Sequence, residues 1–271
     1  MSTLKNYLPE ACYKLQNLSF SDVEKAFERN ETVVGFVESI SSADERLTVR
    51  LGDDVIAYLP FDEVTIYPLS YSKNNPGFPF PLQVGCLKEK NICAKVISIS
   101  NTTITLSRKA SMSEAYEAIK GLSKLPFTVT AVRAKTVFGD VGYGIQAKIL
   151  VSQLCKCRIR SATEICKVGD SFQVAVLNFD ELKRANVSYK ATFPEYNHEH
   201  FTRGEVVVGT INEPVDNSFS GYYVNVSPQV AGILDYHPWQ PILNYGDTVE
   251  CIISKASPNG LHLKFLKLVQ D

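Results

Sequence analysis

The chain has no apolar run near the roughly eighteen residues that span a bilayer as a helix. Met1–Leu8 has no basic-then-apolar leader pattern. Both absences point to a soluble, cytoplasmic protein with no membrane partner. Charge of one sign is also missing: 28 Lys and Arg stand against 29 Asp and Glu, a net charge of −1 over 271 residues. That excludes a strongly basic nucleic-acid coat and confines any phosphate site to a local patch. Seven cysteines without regular spacing do not make a disulfide scaffold, because one thiol must stay unpaired within the chain. A reducing compartment fits better. Cys86, Cys93, Cys166 and Cys251 fall in strand-like runs, where a thiol serves as a small buried apolar group. No P-loop, dinucleotide fingerprint or nucleophile elbow occurs, and the carboxylates are scattered. The sequence makes no case for an enzyme or a cofactor. Cys155, Cys157 and Cys166, with His198 and His200 apart from them, lack the two close pairs of a structural zinc site, so no metal is expected. Gly139-Asp140-Val141-Gly142 has the form of a backbone clamp but no flanking helices, so it reads as a hairpin turn.

What is there is a short ending that recurs. Ile104–Lys109 reads I-T-L-S-R-K and Ala185–Lys190 reads A-N-V-S-Y-K; Leu261–Leu266, L-H-L-K-F-L, is an eroded third copy. Each follows a Gly-led, β-rich run. The endings lie about eighty residues apart, a domain-sized repeat rather than a solenoid.

Residues 1–30 form an N-terminal helical segment. Ser21 and Glu24 have capping-box spacing, and Val23, Ala26 and Phe27 make one apolar face. The first repeat occupies 31–110: strands at Thr32–Ile40, Arg46–Leu51 and Val55–Leu59, then Gly85–Ile99 and Thr103–Ser107. Between its third and fourth strands lies the loop Thr65–Gln83, where Pro68, Pro76, Pro79 and Pro81 forbid a central strand. A linker helix is expected at 111–125, capped by Ser111 with Glu114, its stripe of Met112, Ala115, Tyr116, Ile119 and Leu122 packing on a neighbouring barrel. The second repeat covers 126–192, a linker 193–203, and the third repeat 204–271. Five strands with a long connection after the third is the plan of an OB-fold barrel. The fold class is therefore all-β with linker helices: three tandem five-stranded barrels.

The repeats resemble the S-one RNA-binding domain, whose OB-fold copies occur in tandem. The second matches best. Phe138-Gly139 stands at its aromatic-Gly start, Ile149 to Gln153 at the third-strand exit, and Gly169-Asp170 opens the fourth strand. Asp180, Lys183-Arg184 and Val187 to Lys190 close it. The first keeps Gly35-Phe36-Val37 and Leu106 to Lys109 but lacks second-strand aromatics, and Ser100 replaces the Asp. The third keeps Gly209 to Ile211, Gly221 to Val224, Ala231 to Leu234 and Gly246-Asp247, and loses the Ser and the basic turn. The resemblance implies a binding face on the outer side of the second and third strands. There, rings stack bases and cations follow phosphates.

On that implication the candidate RNA-binding residues in the second repeat are Phe138, Tyr143, Lys148, Asp180 and Arg184. Those in the third are Phe219, Tyr223, His262 and Lys264. Arg46 and Arg50 share a strand face with Thr48 in the first, and would meet phosphates without stacking. The expected function is binding of single-stranded RNA in translation or RNA handling, with the second repeat as the best site. The alternative is a protein-interaction module that docks the same barrels onto a ribosome, polymerase or other assembly.

Overall fold

The computed structural model describes residues 7–70, 80–101, 103–214 and 220–269. Three closed five-stranded barrels follow one another, as the sequence predicts. The first contains β1 (Thr32–Ser41), β2 (Arg46–Gly52), β3 (Val55–Pro60), β4 (Asn91–Ser100) and β5 (Thr103–Ser107), in the order β1-β2-β3-β5-β4. The second contains β6 (Lys124–Arg133), β7 (Thr136–Asp140), β8 (Gln146–Leu150), β9 (Ser171–Phe179) and β10 (Ala185–Ser188). The third contains β11 (Val206–Pro214), β12 (Gly221–Ser227), β13 (Val230–Asp235), β14 (Thr248–Ser257) and β15 (Gly260–Leu268). In all three the third and fifth strands pair in parallel, the step that closes the barrel.

Strand alternation builds each core. Leu47, Val49 and Leu51 of β2 point inward while Arg46, Thr48 and Arg50 point out. In the third barrel Leu261, Leu263 and Phe265 of β15 pack inward with Val249, Cys251 and Ile253 of β14.

The helices start earlier than their sequence signals. α1 (Phe20–Glu28) is capped by Ser19, whose side chain forms a box with Asp22, not by Ser21 with Glu24. Val23 and Ala26 are buried, but Phe27 is exposed. α2 (Leu82–Gly85) is a single turn, so Gly85 ends a helix and the fourth strand begins only at Asn91. Cys86 follows that turn and is exposed, unlike Cys93, Cys166 and Cys251, which are buried. α3 is Arg108–Ile119, not 111–125, and residues from Lys124 onward already belong to β6. Ser107 is the cap, accepting from the Ala110 N–H. Ser111 is instead fully buried, donating to the carbonyls of Cys93 and Arg108. Met112, Ala115 and Ile119 are buried against the first barrel, whereas Leu122 lies beyond the helix and is exposed. Among the described residues no helix is long and apolar enough to cross a membrane.

The chain divides into two compact units that do not follow the repeat boundaries. One holds the chain up to 131, first barrel included, with residues 138–148 and 168–187; the other holds residues 132–137 and 149–167 with the chain from 188 on, third barrel included. The second repeat is split because its β8–β9 connection has its own partners in the second unit. Lys156 N–H donates to the Pro228 carbonyl (3.0 Å) and the Cys157 thiol to the Ser227 carbonyl (2.7 Å).

Candidate nucleic-acid interface

In the first barrel, β2 presents Arg46, Thr48 and Arg50 outward. Its neighbours supply what the sequence had not placed there. Thr48 pairs with Tyr58 on β3, and Arg50 pairs with Phe36 on β1. The Arg46 Cζ lies 4.2 Å from the centre of the Tyr58 ring, and the Arg50 Cζ lies 5.5 Å from that of Phe36. Both are cation–π contacts. Arg50 Nε also donates to Glu38 Oε1 at 2.7 Å, and Arg46 Nη2 is 3.6 Å from Asp44. The first barrel therefore carries rings beside its arginines. Alternation within Val55–Pro60 was the available signal, since it turns Tyr58 to the same side as Ile56, away from the buried Val55, Ala57 and Leu59.

In the second barrel, Val137 and Gly139 of β7 are buried and Phe138 is half-buried on the outer side. Lys148 faces outward on β8, between buried Ala147 and Ile149, and pairs with Asn186. Arg184 stands two residues before Asn186, so Lys148 and Arg184 border the same ladder. Asp180 and Arg184 are bonded to each other: the Arg184 N–H reaches Asp180 Oδ1 and its Nε reaches Oδ2, both at 2.9 Å. Partial burial pushes the Asp180 carboxyl up, but the Arg184 N–H and guanidinium win and hold it below its ordinary value. Both Asp180 oxygens thus accept a bond within the turn. Lys183 sits 5.1 Å over the ring of Tyr116, which meets Phe179 edge-on.

Tyr143 is not on this face. It is 7% exposed, with φ at +48°, and packs edge-on against Tyr7 and Tyr13. The tight Gly142–Gly144 turn folds its ring beneath the N-terminal segment, whose Leu8 carbonyl accepts the Tyr143 N–H. Burial raises the pKa of its hydroxyl.

In the third barrel the outward row runs Tyr223 on β12, Ile233 on β13 and His262 on β15. Lys264, two residues along β15, is exposed on the same side. Tyr222 points the other way and is buried. Phe219 lies outside the described residues. Over this row stands a residue of the second repeat: the Arg158 Cζ is 4.1 Å from the Tyr223 ring centre. Arg160 lies 3.7 Å over Tyr245 in the same way.

The first unit also contains a polar cluster with no sequence signature. The Glu10 carboxylate receives Arg108 Nε at 2.8 Å, Nη2 at 2.7 Å and the Cys93 N–H at 3.0 Å. Arg108 Nη1 reaches the Val64 carbonyl at 2.9 Å. Asp140, whose backbone is in the second repeat, accepts from the N–H groups of Glu10, Gly142 and Gly144. All three charged residues are buried and line a cavity of about 520 Å³ together with Thr65, Gln83 and Gln146. Burial, then the Glu10 carboxylate, pushes Asp140 up to about 7 against the pull of those N–H donors and Arg108. The Gln146 N–H donates to the hydroxyl of Tyr67, from the Pro-rich loop, at 2.9 Å. This cluster joins parts of the first and second repeats within one unit.

No protein-family model matches the chain. It is similar to the small ribosomal subunit protein bS1 of Leuconostoc lactis, 29% identical over 161 residues, which is 54% of this chain and 37% of the relative. To the same protein of Coxiella burnetii it is 27% identical over 184 residues, 64% of this chain and 30% of the relative. The chain thus spans about a third of the length of these relatives. Among solved structures, GSP13 from Bacillus subtilis is 28% identical, covering 28% of this chain and 60% of that one with a TM-score of 0.26.

Proposed function

We propose that this chain of three tandem OB-fold barrels, similar to the S-one domains of bS1, is a non-catalytic protein that binds single-stranded RNA. One observation carries the reading: arginines stand over rings on the outer strands of two barrels, at Tyr58 and Phe36 in the first and at Tyr223 in the third. Rings and guanidinium planes stack unpaired bases, and the same guanidinium attracts the adjoining phosphate. Phe138 with Lys148 supplies a ring and a cation on the second. Each face is small and the net charge is −1, so no single barrel binds tightly. Linking them raises the effective concentration of the second and third sites for one strand. The similarity to a ribosomal protein supports a cytoplasmic role in translation or RNA handling.

The test is fluorescence anisotropy of a labelled single-stranded RNA across a salt series, with a duplex as control. The reading predicts binding at low salt, a log-linear loss with salt and weaker duplex binding. No binding at low salt, or an affinity indifferent to salt, contradicts it. One feature favours a protein-docking role instead: Trp239 and Ile242 of the β13–β14 connection are 67% and 77% exposed. Loss of a pulled-down protein partner with Trp239→Ala, alongside no RNA binding, would establish that alternative.

A further inference from the structure

The third barrel is poor in binding chemistry when taken alone. Its outward row offers one ring, one aliphatic chain, one imidazole and Lys264. The segment 149–167 of the second repeat changes that. It passes along the third barrel through Lys156, Cys157 and Arg158, each bonded to it by a backbone or thiol group. At Arg158 the clamp is double: the side-chain amides of Asn212 on β11 and Asn225 on β12 both donate to the Arg158 carbonyl, the latter at 2.8 Å. Asn212 is itself buried. The clamp holds the backbone there through the Arg158 carbonyl, not through its guanidinium.

Residues 158 and 160 are two apart outside regular secondary structure, with half-buried Ile159 between them. Both arginines are exposed and both stand over tyrosines, Arg158 over Tyr223 and Arg160 over Tyr245. Tyr223 is half-buried. A ligand approaching this face therefore meets the Arg158 guanidinium before it meets the ring.

We propose that Arg158 and Arg160 complete the nucleic-acid face of the third barrel. The Arg158 guanidinium, backed by Tyr223, is the plane on which an unpaired nucleobase of single-stranded RNA stacks. The proposal rests on the RNA-binding reading and deepens it. A guanidinium is planar and delocalised, so it stacks on a ring with one face and on a base with the other, while its charge serves the neighbouring phosphate. Lysine supplies the charge but no plane. The ring beneath and the clamped backbone hold the group in place before RNA arrives, which lowers the ordering cost of binding. The third barrel is thereby a working site only with a segment contributed by the second repeat.

The experiment uses the full chain and a labelled single-stranded oligoribonucleotide, titrated across a salt series, with Arg158→Ala, Arg158→Lys, Tyr223→Ala and the Arg158→Ala/Tyr223→Ala double variant. The clamp uses the Arg158 carbonyl, so side-chain exchange leaves it intact, and an unchanged thermal transition checks this. Arg158→Ala is expected to weaken binding about tenfold and to lower the salt slope by about one. Arg158→Lys restores the slope but not the affinity. The double variant binds about as well as Arg158→Ala, because Tyr223 acts through Arg158. Unchanged or tighter binding by Arg158→Ala would overturn the proposal and make Arg158 a cap over Tyr223. Full rescue by Lys, or additive losses in the double variant, would overturn it too. Wild-type chain that binds no RNA would overturn this proposal and the RNA reading together, whereas normal wild-type binding with a silent Arg158→Ala overturns this one alone.

Discussion

Replacing Arg108 with Ala should be among the most damaging single changes in the first unit. Arg108 is the arginine of the I-T-L-S-R-K ending. Its side chain is 7% exposed and that of Glu10 10%. The substitution removes two charge-assisted bonds to Glu10, at 2.8 and 2.7 Å, and one to the Val64 carbonyl, at 2.9 Å. The larger loss is indirect. Glu10 is left as a buried carboxylate with only the Cys93 N–H among its bonds described above. Removing one partner of a buried pair costs about 3–5 kcal/mol. In a unit of this size that lowers the melting temperature by about 10 °C. Thermal unfolding followed by circular dichroism measures it. Adding Glu10→Gln should recover a large part of the loss, since the amide still accepts from Cys93 but carries no charge. A shift under about 2 °C for Arg108→Ala, or strict additivity in the double variant, would refute the reasoning.

Other consequences follow from the same geometry. Gly139→Ala would place a Cβ 2.4 Å from Phe127 Cζ and 2.5 Å from the Thr128 carbonyl oxygen. Backbone cannot yield cheaply, so a loss of about 3 kcal/mol or failure to fold is expected in urea unfolding. Asp140, raised from an ordinary 3.8 to about 7, holds its proton in the native state across a range where the unfolded chain has lost it. Stability should therefore decline as pH rises from about 4 to about 7, and Asp140→Asn should flatten that decline in pH-resolved urea melts. Tyr58→Ala should weaken RNA binding about fivefold or more without changing the salt slope, whereas Arg46→Ala should reduce both, as read by anisotropy.

The barrels were legible because their signals are local. Gly-led runs, strand alternation and three similar endings each lie within one repeat. Helix starts were legible only to within a few residues. Ser21 and Ser111 have the capping spacing, yet Ser19 and Ser107 do the capping, and tertiary burial claims Ser111 for the Cys93 carbonyl. The binding faces were half visible. Placing aromatics on the second strand hid Tyr58, one strand over. Tyr143 looked like a platform residue because its turn was readable but the N-terminal segment covering it was not. The Arg158–Tyr223 contact and the Glu10–Arg108–Asp140 cluster join residues far apart in sequence. No spacing rule connects such residues, so only the folded chain shows them.

The most direct measurement is photochemical crosslinking of a bound single-stranded RNA to the full chain, with the adducts located by mass spectrometry. Adducts are expected at Phe36 or Tyr58, at Phe138, and at Tyr223 or its neighbours on the outer strands. Adducts confined to Trp239 and the β13–β14 connection, with none on those outer strands, would contradict that expectation.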